Sequence, residues 1–269
     1  MTEQNDTHKS RSIDKLIGDG AEIAGAAVGG ALGFYAAGPE AAALLSAGGS
    51  VVGAVLRRVG SDVSKRLLSP RERTRLGAVI AIAADEIRNE LEAGKALRSD
   101  GFFEHDQHGR SAAEEVAESV LLKSQREPEE KKLPYMAHLL KAASFEADVS
   151  AEMAHLITKI AEQLTYRQFC IMKLAAEPAR GLRLTSYGHQ TQFPEEQFQV
   201  IYECFDLYRR SLIHFGGPNA RSAAVALGVN DVVPGRMALA GLGSAIYGLM
   251  EMTVIPEDDL APIVTQMSQ

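Results

Sequence analysis

Between residues 21 and 57 the chain reads AEIAGAAVGGALGFYAAG and then PEAAALLSAGGSVVGAVLR, two apolar, small-residue segments around a Gly38-Pro39 turn. Gly25, Gly29 and Gly33 recur every four residues, and so do Gly49 and Gly53. On a helix that spacing stacks the glycines along one stripe. A stripe without side chains lets a second helix backbone approach closely. Glycine inside a helix costs about 1 kcal/mol relative to alanine, so its repeated use points to a packing gain. The expectation is a glycine-zipper helical hairpin over residues 12–68, with Gly25, Gly29, Gly33, Gly49 and Gly53 as the helix-packing and oligomerisation positions.

The charges around the hairpin are asymmetric. Lys15 precedes it, Arg57 and Arg58 follow it, and the turn carries only Glu40. Positive flanks at both ends would keep both termini on the cytoplasmic side of an inner membrane. Phe34 and Tyr35 beside the turn suit an interface. Yet the uncharged runs 23–37 and 41–56 fall short of the roughly 20 residues that cross ~30 Å of hydrocarbon. A helix that is apolar all round must be buried somewhere, in lipid or in protein. Two readings follow: a hairpin at the cytoplasmic face of the inner membrane, or the central layer of a cytoplasmic helical bundle. A triggered form, tucked away at rest and inserted on demand, combines them.

Outside the hairpin, the 23% charged and 46% hydrophobic composition suits a globular core. The net charge of −7 argues against broad electrostatic capture of nucleic acid. Cys170 and Cys204 lie in apolar helical contexts and read as reduced core thiols. The opening MTEQNDTHKS has no apolar stretch, so no cleavable secretory signal is expected, and residues 1–11 read as a disordered tail.

Residues 69–149 read as a helical region. Ser69-Pro70-Arg71-Glu72 is a capping box with proline in the first turn, opening a helix to about residue 98. A loop at 99–110 leads to a second box, Ser111 to Glu114, and a helix to about residue 126. A helix over 128–144 carries Leu133, Met136, Leu140 and Ala143, with a kink or break at Pro134 and a solvated run Glu129, Glu130, Lys131, Lys132. From 150 to 269 the order changes: helices capped by Ser150 and Thr165, a turn-rich stretch at 177–193, and a helix over 195–213. A strand at 223–227, a loop at 228–231, a strand at 237–239 and helices at 241–252 and 256–267 complete it. Helices followed by a small β-hairpin and a further helix make a winged-helix-like domain. The expected class is therefore all-α, with a β-hairpin near the C-terminus.

Three stretches carry a resemblance. LYRRSLI at 207–213, LAGLGSAIYGLMEMTVIP at 239–256 and RSAAEEVAESVLLKSQREPEEKKLPYMAHLL at 110–140 resemble bacterial abortive-infection proteins, the abortive-infection alpha family among them. The resemblance covers roughly the C-terminal half, through hydrophobic patterns. It implies a role in phage defence, in which a triggered protein disables its own cell. It assigns no functional residue and leaves the zipper hairpin without a counterpart.

No motif calls for catalysis or a cofactor. Glu104, His105, Asp106 and His108 are ligand types, but a single polar loop with no second cluster reads as solvated chain rather than a metal site. The glycines of 25–33 lack the Lys-Ser/Thr of a phosphate loop, and Gly241-Leu242-Gly243 is too short to be one. In a winged-helix reading the helix at 195–213 would enter DNA, yet it starts with Glu195 and Glu196 and offers only Arg209 and Arg210. Residues 151–269 hold 12 acidic and 9 basic side chains. A protein-interaction or dimerisation module is expected in preference to a DNA reader. The sequence thus points to a non-enzymatic, self-associating protein that contacts membrane lipid. The alternative is an adaptor or sensor whose C-terminal module binds protein or nucleic acid.

Overall fold

Capping boxes mark the starts of three helices, at Ser69, Ser111 and Thr165. The computed structural model of the chain describes residues 51–66, 68–177, 181–188, 190, 192–216 and 225–269. Lys15, Gly25, Gly29, Gly33, Gly49 and the hairpin turn lie outside these residues, as does the tail at 1–11. Among the described residues the fold is predominantly helical, with nine α-helices and one two-stranded antiparallel sheet. It divides into two units at Gln163–Leu164.

In the first unit, α1 (Val51–Ser64) is followed by α2 (Pro70–Glu92), α3 (Ala112–Arg126), α4 (Leu133–Phe145) and α5 (Ala151–Gln163). Ser69 accepts from the Glu72 N–H while the Glu72 carboxylate accepts from the Ser69 N–H. Ser111 and Glu114 repeat the exchange at α3. These boxes satisfy N–H groups that a helix start leaves bare. α2 stops at Glu92 rather than near 98, because Gly94 turns the chain at φ +89°, a left-handed conformation that favours glycine. Pro134 does not kink a helix. It sits in the first turn of α4, where its missing N–H is harmless, and a 3-10 turn (Glu130–Lys132) precedes it.

All of α4 is buried, packed against α2, α3 and α5. That packing draws α5 into the first unit, so the C-terminal unit begins at Leu164 rather than at 150. Likewise α1, the described tail of the expected hairpin, packs on α2 and α3; residues 12–50 lie outside the described residues.

The second unit runs α6 (Tyr166–Ala176), α7 (Glu195–Arg209), β1 (Ile213–His214), β2 (Ala238–Leu239), α8 (Gly241–Leu249) and α9 (Glu257–Met267). Thr165 and Gln168 form its capping box. α7 ends at Arg209, not at 213, because Ser211 adopts φ +58° and redirects the chain into β1. β1 pairs with β2 in the register Ile213 to Leu239 and His214 to Ala238. The strand expected at 223–227 does not form in its described part. The Leu227 and Gly228 N–H groups bond to Asp231 Oδ2 (2.8 and 3.1 Å) instead of to a strand.

Gly243 in α8 permits a close backbone approach to Leu212. A Cβ there would lie 1.9 Å from the Leu212 carbonyl oxygen. Gly241, two residues earlier, has open space around it. Overpacking a filled interior costs about 1–3 kcal/mol or more. Thermal denaturation should therefore show Gly243→Ala strongly destabilised and Gly241→Ala nearly unchanged.

Candidate functional site

Residues 51–56, the end of the expected second zipper segment, belong to α1, and α1 is seated in protein. Val52, Val55, Leu56, Val59 and Val63 recur at helical spacing and are all buried. They face α2, α3 and the connecting loop. A small apolar cavity of about 20 Å³ remains between Val52, Val55, Leu56, Ile87, Phe102 and Leu140. Gly53 is half-buried at the edge of this face, with Arg57 and Ser61 continuing its four-residue spacing. Gly53, the one stripe glycine among the described residues, thus lies beside the docking face of α1.

Ion pairs hold the outer side of the seat. Arg58 donates to Glu114 Oε1 at 2.9 Å and lies 3.1 Å from His105 Nε2. Arg66 and Arg110 each reach Glu118 at 2.8 Å. Arg66 and Arg110 meet Glu118 at the surface, where such pairs contribute ~0–1 kcal/mol each, while Glu114 beneath Arg58 is buried; the apolar face supplies most of the seating energy. Arg58, read from sequence as a membrane flank, is here engaged with the protein. The loop histidines do not gather a metal site. Asp106 folds the loop by accepting from the His108 and Arg110 N–H groups. The Arg58 guanidinium already supplies positive charge beside His105 and Glu114. Among the described residues no three of Glu104, His105, Asp106 and His108 converge as ligands.

The charges buried around α4 were missed at the sequence level. Lys132, expected on a solvated run, is buried and donates to Glu127 at 2.6 Å. Lys141 donates to Glu86 at 3.0 Å, with His138 Nε2 at 3.7 Å from the other carboxylate oxygen. Burial pushes the Glu86 carboxyl up, but His138 and Lys141 outweigh it and hold the group at about 2. The Arg98 guanidinium donates to the Ala143, Ala147 and Val149 carbonyls, closing the end of α4. The clue in sequence was His138 and Lys141 standing three residues apart in an otherwise apolar run.

The helix that would read DNA presents a different chemistry. The inward side of α7 is Gln197, Val200, Ile201, Cys204 and Leu207. Its outward side carries Phe198 and Tyr202, 43% and 53% exposed, with their rings 6.3 Å apart. Phe193 and Tyr187 extend the ring contacts beyond the helix start. Arg210 is paired with Asp206 at 2.8 Å. Cys170 and Cys204 are buried, and burial pushes the Cys204 thiol far up from its ordinary value. Such a thiol is a packing group and not a nucleophile.

Among the described residues no helix is long and apolar enough to cross a membrane. Compared with known proteins, the chain matches no family model, no curated protein and no solved structure.

The Glu86 geometry fixes a pH dependence. The folded carboxyl titrates at about 2 against an ordinary 4.5. The stability it contributes is therefore fully present above 4.5 and lost as pH falls toward 2. Glu86→Gln should be less stable than wild type in urea at neutral pH. The two should converge in acid.

Proposed function

We propose that the chain is a non-enzymatic effector whose glycine-zipper hairpin is restrained by a helical unit and acts at the cytoplasmic face of the inner membrane once α1 is released. The seat of α1 carries this reading. Residues 51–56 close the second uncharged run and belong to α1; while α1 is docked, Val52, Val55 and Leu56 are buried in protein and this part of the run is held away from lipid. The run then keeps only residues 41–50 for lipid. Ten helical residues extend about 15 Å, half of the ~30 Å hydrocarbon layer. Release of α1 returns the full run 41–56 and frees Arg57 and Arg58 to act as positive flanks. Gly25, Gly29 and Gly33 would then pack hairpins into a homo-oligomer. The resemblance to abortive-infection proteins gives such release its setting, a phage-triggered shutdown of the host cell.

The C-terminal unit is, in this reading, a winged-helix-like protein-interaction module that senses the trigger. The succession of α6, α7, β1, a long connection and β2 supports the winged-helix-like assignment. The exposed aromatics of α7, beside the acidic Glu195 and Glu196, favour a protein partner over DNA. The same surface favours the second reading, an adaptor whose hairpin is never released.

Cell fractionation separates the two. Leu56→Ala removes about 2–5 kcal/mol of core packing from the seat of α1. Combined with Val59→Ala, it should move the protein into the membrane fraction and slow growth. Adding Gly25→Leu, Gly29→Leu and Gly33→Leu should keep it there while abolishing self-association and relieving growth. Detergent-free, monodisperse protein from the unseated variant, with normal growth, would establish the adaptor reading instead.

A further inference from the structure

We infer that the outward face of α7 is a self-pairing surface, on which a second copy of this chain docks antiparallel across a two-fold axis. The inference rests on reading the C-terminal unit as a protein-interaction module, and it names the partner.

Glu195, Phe198, Tyr202, Phe205 and Arg209 are spaced three, four, three and four residues apart. That spacing keeps all five on one helix face. Phe198 and Tyr202 are exposed and Phe205 is half-buried, on the side away from the buried Val200, Cys204 and Leu207. The stripe is therefore apolar in its middle and charged at its ends, acidic at the N-terminal end and basic at the C-terminal end.

Neither end charge is neutralised within the described residues. Glu195 accepts only from the neutral Gln199 amide at 3.4 Å. Arg209 is exposed and makes no ion pair there, whereas its neighbour Arg210 is held by Asp206. Elsewhere on the helix Glu203 is paired with Arg167 at 2.6 Å, and Glu196, off this face, accepts from the Gln266 amide at 3.2 Å.

Symmetry turns this order into a prediction of the occupant. A two-fold contact joins the same patch on both copies, so the patch must complement itself. Tyr202 is midway along the stripe, seven residues from either end, or about 10 Å along the helix. With Tyr202 on the axis, Glu195 meets the partner's Arg209 and Phe198 lies beside the partner's Phe205. Both ends are then matched, twice per dimer, around an aromatic centre. A DNA backbone would be repelled by Glu195. A lipid surface would leave the Glu195 charge against the membrane. One helix pair falls short of the ~1,200 Å² that a stable interface buries, so the association is concentration-dependent rather than permanent.

Sedimentation velocity on the full chain, across a dilution series, tests this with three variants. Glu195→Arg and Arg209→Glu place like charges opposite each other, and each should weaken dimerisation about tenfold or more. The double variant Glu195→Arg with Arg209→Glu exchanges the ends and should restore association to within about threefold of wild type. Both positions of change are at the surface, and circular dichroism should show the helices intact. Restoration by the double variant would establish the antiparallel pairing. A monomer at every concentration would overturn it and leave α7 to a different protein. A dimer indifferent to both single exchanges would also overturn it, placing self-association outside α7 while the effector reading stands.

Discussion

The first unit depends on the complete burial of α4. A helix with no solvent face can keep polar side chains only if each is partnered inside, because an unpaired buried charge costs several kcal/mol. The surroundings of α4 are arranged by that requirement. Glu127 meets Lys132 before the helix begins, Glu86 on α2 meets Lys141 and faces His138, and Arg98 caps the carbonyls at the far end. α2 and the loop after it are therefore placed by charge as well as by packing, and together with α3, against which α1 packs most, they form the floor on which α1 sits.

That floor changes the meaning of the glycine-rich segment. Read alone, residues 41–56 are a short apolar run that suits lipid or a protein core equally. The structure gives the last part of the run to protein. Val52, Val55 and Leu56 are spent on α2, α3 and the loop, and Arg58 on Glu114. The length left for a membrane then depends on whether α1 is docked. In the proposed reading this docking would restrain the hairpin, mostly through the apolar burial of α1.

Much of this was legible in sequence where the signal was local. The capping boxes at Ser69, Ser111 and Thr165 bond as their spacing implies, and β2 lies where the sequence placed it. Distant partners were not legible. Lys131 and Lys132 look alike in the sequence, yet Lys132 is buried because Glu127 turns back toward it, and no periodicity announces that. The strand expected at 223–227 is absent from its described part, where the Leu227 and Gly228 N–H groups are taken by the Asp231 carboxylate rather than by a ladder. The aromatic stripe of α7 was visible as spacing, but only the fold shows that it points outward.

Hydrogen exchange of the amides of α1 in the full chain, compared with those of α3, tests the central claim most directly. If α1 is the seated restraint, its amides from residue 56 to 63 should be protected nearly as well as those of α3 in the absence of membranes, and should lose that protection when the hairpin engages lipid vesicles. Exchange of these amides at the rate of an unstructured chain, with α3 still protected, would show that α1 is not held by the first unit and would contradict the account.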